Sequence, residues 1–262
     1  MVLRPLPINE LKKFFDEKAI QILKFQLKKN ILAQPEPVIG QEPIGIQIPK
    51  EYLEQWCVQA INAKPVGAGN YPVDIIKDNW GADIKSLACS LDKNGNLNSG
   101  DTGEASLAQK FTGAGEDLDS LFKNALYDEI KNKWLEIVKN KNNLVKIEKN
   151  LDNLYYFTFL RGNHKYYLCG FEVLIENLPA VTIDYEKTTS SSVFLNNYIE
   201  PKYGCTKIYK AKKRLELRLK AKTLVENNFC ITLDIPDNLS AINLREVSSL
   251  DKYFSEIITS IK

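Results

Sequence analysis

Residues 71–89, "YPVDIIKDNWGADIKSLAC", place two short apolar runs on either side of a polar break that contains a glycine. Asp74 lies in the first run, and the triplet Asp83-Ile84-Lys85 lies in the second. Runs of this length and alternation predict a β-hairpin. With an even-length turn centred on Asn79 and Trp80, Lys77 pairs with Ala82, Ile76 with Asp83 and Asp74 with Lys85. Cross-strand partners share a face, and so do residues two apart on one strand. Asp74, Asp83 and Lys85 then project together, while Ile75, Ile84 and Leu87 take positions suited to packing. An odd-length turn would send Asp74 to the opposite face.

Two aspartates on one face repel unless a cation stands between them. Mg²⁺ suits a site with few carboxylates, because it takes oxygen ligands and keeps several waters. Lys85 beside such an ion would orient or deprotonate an attacking water, or neutralise charge on a phosphate. The plainer alternative is a solvated hairpin with one Asp–Lys pair. Other acid-x-Lys triplets start at Glu10, Asp16, Glu129 and Glu200, but the first three lie in helical stretches and the last holds a proline. Only Asp83-Ile84-Lys85 sits on an expected strand behind another strand that carries an acid.

The whole chain sets the frame. Its 262 residues allow one large domain or two small ones, and 44% hydrophobic with 26% charged residues is the balance of a globular protein. A net charge of +2 leaves room for a local basic patch without requiring one. No apolar run reaches the roughly 18 residues of a membrane helix, and "MVLRPLPINE" lacks a signal peptide's apolar core, so a cytoplasmic protein with no membrane partner is expected. The five scattered cysteines include no Cys-x-x-Cys pair, which argues against a disulfide framework or zinc ribbon and for reduced, mostly buried thiols. The single histidine, His164, falls in "LRGNHKYY", which reads as a hairpin turn. One imidazole disfavours a histidine-metal nuclease or a zinc hydrolase, and without a Gly-x-Ser-x-Gly elbow a serine triad is disfavoured too.

Helical spacing predicts a helix in "INELKKFFDEKAIQILKFQLKKN", a second in "PKEYLEQWCVQAINAK", a third in "EASLAQKF" and a longer one through "LDSLFKNALYDEIKNKWLEIVKN". From Leu154 onward the runs are β-branched and aromatic, and "SSLDKYFSEIITSI" forms a last helix. The expected class is α/β (α+β): residues 1–150 a helix-framed core holding the hairpin, residues 151–262 a β-rich region continuous with the same domain.

The residues Pro72-Val73-Asp74 followed by Asp83-Ile84-Lys85 resemble the PD-(D/E)xK nuclease signature found in Type II restriction endonucleases. The resemblance covers about residues 50–111 and implies a restriction-endonuclease-like core with a central mixed sheet flanked by helices. It further implies a Mg²⁺-dependent endonuclease cutting double-stranded DNA. Asp74 and Asp83 would hold the metal with the Ile84 carbonyl, and Lys85 would position the water. An acid on the preceding helix, Glu51 or Glu54, would join them, and the following helix would return Gln109, or less favourably Glu104. Palindromic cutting implies a homodimer, and restriction implies a DNA methyltransferase as genetic partner. The competing readings are a structure-specific repair or junction-resolving nuclease and a non-catalytic nucleic-acid or protein interaction module.

Two further stretches bear on DNA. The run "KIYKAKKRLELRLKAK" clusters Lys207, Lys210, Lys212, Lys213 and Arg214, and phosphate contact needs clustered cations more than overall charge. In its second part Leu215, Leu217 and Leu219 alternate with Glu216, Arg218 and Lys220, giving one buried and one wet face. The loop "DKNGNLNSGDTGE" starts like an EF-hand but has Leu97 where glycine is needed, and Glu104 falls one residue late. Its Asn94, Asn96, Asn98 and Ser99 are the other expected DNA contacts.

Overall fold

A computed structural model describes residues 1–36, 38–40, 47–67, 71–109, 117–163, 165–234 and 242–260. In chain order it holds β1 (Leu3–Pro5), α1 (Ile8–Phe14), α2 (Glu17–Ile31), α3 (Lys50–Ile61), β2 (Lys64–Pro65), β3 (Ile75–Lys77), β4 (Trp80–Ala88) and β5 (Ala105–Gln109). There follow α4 (Leu118–Lys123), α5 (Tyr127–Lys149), β6 (Asn153–Arg161), β7 (Lys165–Val173), β8 (Thr182–Thr189) and β9 (Ser192–Asn196). The rest is β10 (Gly204–Tyr209), β11 (Arg214–Leu219), α6 (Ala221–Glu226), β12 (Cys230–Asp234) and α7 (Leu250–Ser260). None of these helices is long and apolar enough to cross a membrane.

The strands form two sheets. The first runs β1-β7-β6-β4-β3-β2, with β12 also on β7, and the second runs β5-β11-β10-β9-β8. Among the described residues only the β4–β6 pair is parallel, from Trp80–Asn153 to Ala88–Arg161. A parallel pair demands a long crossover, supplied here by everything from β5 to the 23 residues of α5. The chain is thus a mixed α/β protein whose central mixed sheet is flanked by helices. Both of its halves contribute to that sheet, since β6 and β7 pair onto β4 and β1, which precede residue 150, and β12 joins it on β7.

The central sheet has two apolar faces. Leu11 of α1, Leu23 and Leu27 of α2 and Leu53 and Trp56 of α3 pack with Ala82, Ile84, Phe157 and Leu168 on one of them. Ile130, Trp134 and Val138 of α5 and the leucines of β11 belong to the core that includes Leu87, Tyr156 and Phe171 on the other. Strand alternation therefore sends Asp83 and Lys85 to the side of the second sheet.

Several expected elements differ. The first helix breaks at Phe15, because the Asp16 carboxylate accepts the Ala19 N–H at 2.8 Å and starts α2 afresh. The longer helix breaks at residues 124–126, where Ala125 is left-handed, and then runs on to Lys149. The stretch "EASLAQKF" supplies strand β5, not a helix: Leu215 and Glu216 of β11 pair with Ala108 and Ser106, so sheet pairing overrides a helix-compatible pattern. The aromatics Tyr156, Phe157, Phe159 and Tyr166 are core residues. His164 lies outside the described residues, in the connection between β6 and β7. None of the five cysteines is in a disulfide.

Candidate functional site

The hairpin turn falls at Asp78–Asn79, one residue earlier than expected. Asp78 is left-handed with φ 50°, a conformation that Asp and Asn tolerate better than Trp. Trp80 is needed in the sheet, where its ring meets Phe14 edge-on at 5.1 Å and Tyr155 and Phe157 at 5.9 Å. The pairs become Lys77–Trp80, Ile76–Gly81 and Ile75–Ala82, which replace the expected register but keep its parity. Because the parity is kept, the three charged residues still converge.

Just beyond β3, the Asp74 N–H donates to the Ala82 carbonyl at 2.8 Å. The strand pairing then ends, and Asp74 Oδ2 accepts the Ile84 N–H at 2.7 Å in place of a further backbone carbonyl. Its carboxylate is thereby fixed beside the same edge of β4 that carries the Ile84 carbonyl, since a strand residue's N–H and C=O share one edge. Asp83 Oδ2 accepts from Lys85 Nζ at 2.6 Å, and Lys85 Nζ also donates to the Ser106 carbonyl of β5 at 3.1 Å. The Lys85 side chain is 8% exposed and lies 5.1 Å from the centre of the Tyr156 ring.

The fourth charge is Lys50, the first residue of α3. Its Nζ lies 2.9 Å from Glu54 Oε1, 3.2 Å from Asp74 Oδ2 and 3.9 Å from Asp83 Oδ1. Burial and the facing Asp83 push the Asp74 carboxyl up to about 6, even though the Ile84 N–H and Lys50 favour its ionised form. Burial works against the Lys50 ammonium, yet Asp83, Glu54 and Asp74 hold its pKa above the ordinary lysine value. The cation that two facing aspartates require is thus already present, as a lysine side chain.

Of the expected site residues, Asp74, Asp83, Lys85 and Glu54 come together, Glu54 through Lys50. Glu51 is exposed. Gln109 does not arrive on a helix, since its backbone pairs with Arg214 at the end of β5. Glu104 is occupied elsewhere, accepting from Lys212, Arg214 and Arg218. Lys50 escaped the sequence reading. Its signal was a cation at the first position of a helix, where the dipole disfavours positive charge.

Among the described residues, no group of three or more His, Cys, Asp or Glu side chains is arranged to hold a metal ion. Two carboxylates and the neighbouring Ile84 carbonyl are nevertheless an all-oxygen donor set suited to Mg²⁺, which fills the rest of its octahedron with water. Lys50 Nζ stands 3.2 Å from Asp74 and 3.9 Å from Asp83, so these residues would fit such an ion with Lys50 moved aside.

The basic run forms the β10–β11 hairpin, and most of its charge is paired. Lys210 lies 3.8 Å from Asp119, Lys213 lies 3.3 Å from Asp119 and 3.7 Å from Asp117, and Arg214 lies 3.0 Å from Glu104 and 2.8 Å from Glu216. Lys212 pairs with Glu104, and Lys207 rests over the Phe194 and Tyr209 rings. Glu216, expected on a wet face, is 1% exposed beneath its bond to Arg214. In the 92–100 loop the Asp92 carboxylate accepts the N–H groups of Asn94 and Asn96 at 2.8 and 2.9 Å, closing a turn rather than offering a calcium ligand. Asn98 Oδ1 likewise accepts the Gly100 N–H beside Ser99.

The chain matches no family model, no curated protein and no solved structure.

Proposed function

We propose that the protein is a Mg²⁺-dependent endonuclease acting on double-stranded DNA, of the PD-(D/E)xK kind and most simply a Type II restriction enzyme. The observation that carries this reading is the meeting of Asp74, Asp83 and Lys85 at one point on the β3–β4 hairpin, with Glu54 of the preceding helix linked to them through Lys50. The central mixed sheet and the acid-bearing helix ahead of the first motif support it as well.

In this reading Asp74, Asp83 and the Ile84 carbonyl hold Mg²⁺, which supplies Lewis-acid charge at the scissile phosphate and makes water more acidic. Lys85 does the positioning. An ammonium has three donors, and two already go to Asp83 and Ser106, leaving one for a water or a phosphate oxygen. Its near-complete burial keeps that charge in a low-dielectric setting, where it acts more strongly on the transition state than it would in water. Phosphate contacts fall to Lys207 and to the Lys210–Arg214 turn, whose paired cations would exchange carboxylates for phosphates. A homodimer would cut both strands of a palindrome, and a methyltransferase would protect the host's own sites.

The test is incubation with supercoiled plasmid in Mg²⁺ and in EDTA. Discrete fragments in Mg²⁺ alone are expected, and junction-dependent nicking would instead favour a resolvase. DNA binding without cleavage, unchanged by Lys85→Ala, would leave an interaction module.

A further inference from the structure

Lys50 holds a position that helix energetics alone would not choose. It is the first residue of α3, where the positive end of the helix dipole opposes a cation, and its ammonium is partly withdrawn from water. What holds it there is the set of three carboxylates around it, from Glu54 of the helix, Asp74 beside β3 and Asp83 of β4. A lysine head is a compact charge on a flexible four-carbon stem, and this side chain is 46% exposed, so it has a path into solvent. Arginine would grip the same carboxylates through a rigid fork.

We infer that Lys50 is a built-in placeholder cation, which keeps the Asp74–Asp83 pair assembled in the metal-free protein and withdraws when a divalent cation binds between them. The inference rests on the metal reading above and adds a consequence to it. Two cations cannot share a space 3–4 Å across, so the ion binds in competition with the lysine, and residue 50 sets how much cation the site needs. A metal-free protein with this device keeps its two aspartates in register instead of letting their repulsion splay the hairpin.

Titration calorimetry with MgCl₂ and no DNA, together with thermal melting in EDTA and in Mg²⁺, tests this on the wild type, Lys50→Met and Lys50→Arg. Lys50→Met is expected to bind Mg²⁺ on the order of tenfold more tightly, to melt lower than the wild type in EDTA, and to gain more on adding Mg²⁺. Lys50→Arg is expected to melt like the wild type in EDTA and to bind Mg²⁺ no more tightly. Equal or weaker Mg²⁺ binding by Lys50→Met overturns the inference, as does a gain in affinity by Lys50→Arg matching that of Lys50→Met. If Lys50→Met is unfolded in EDTA, its refolding by Mg²⁺ supports the role, and failure to refold counts against it. A wild type that takes up no Mg²⁺ by either method removes the metal reading and this inference together. Mg²⁺ uptake indifferent to residue 50 removes the placeholder alone.

Discussion

The two sheets handle charge in opposite ways. On the central sheet three acids, Glu54, Asp74 and Asp83, meet two lysines, Lys50 and Lys85, and the aspartates are held facing one another. On the second sheet and the helix beside it, Glu104, Glu216, Asp117 and Asp119 share out Lys210, Lys212, Lys213, Arg214 and Arg218 until nearly every cation has an acid. The richer cluster in the sequence is therefore a paired one in space, each of these five cations having an acid beside it. In the sparser cluster three acids face two lysines, and burial together with Asp83 raises the pKa of Asp74. Frustrated charge, more than charge density, distinguishes a site from a solvated face.

The largest expected contrast between the sheets is in activity. Asp83→Ala or Lys85→Ala should lower plasmid cleavage by about 10²–10³-fold or more while leaving the circular dichroism of the fold in place. A variant of the second sheet that abolished cleavage equally, with its fold intact, would reverse the assignment. The next effect is on stability. At Gly204, opposite Leu219, an added Cβ would lie 2.3 Å from the Arg218 carbonyl oxygen. Gly204→Ala should therefore cost about 2–3 kcal/mol by urea unfolding, from overpacking against backbone that cannot yield.

Asp74→Asn should act in the other direction, and with a pH signature. The folded Asp74 carboxyl sits at about 6, above its ordinary value of 3.8, so the folded state favours the protonated form. Its contribution to stability is complete below pH 4 and lost as pH rises through 6. Asparagine can still accept the Ile84 N–H. The substitution should therefore stabilise the metal-free protein by about 1–2 kcal/mol at pH 8 and leave it nearly unchanged at pH 4. Melting curves at the two pH values check this, and a pH-independent effect would mean that the carboxylates are not in conflict. The smallest change is expected from Glu104→Gln. It should cost about 1 kcal/mol and free Lys212 and Arg218, raising non-specific DNA affinity several-fold at low salt. Unchanged binding in a filter assay would mean that those cations do not face the nucleic acid.

Much of the central sheet was legible in the sequence because its long strands are rich in β-branched and aromatic residues and its turn residues are distinctive. The Asp74–Asp83–Lys85 convergence survived an error of one residue in the turn, since side-chain direction depends only on parity. The β5 strand was not legible. "EASLAQKF" is acceptable to a helix, and only the open edge of β11 made it a strand. Nor could the pairing of the basic hairpin be foreseen, because Glu104 and Asp119 are distant in sequence from Arg214 and Lys213.

What the sequence determined by itself was local: periodicity, turn chemistry, and the parity that aims three charged side chains at one spot. The tertiary structure decided which charges were already neutralised and which cation stands between the aspartates. The physical reason is range. Side-chain direction follows from neighbours one or two residues away, whereas an ion pair such as Lys50–Asp74 joins groups 24 positions apart and exists only once α3 has packed beside the hairpin.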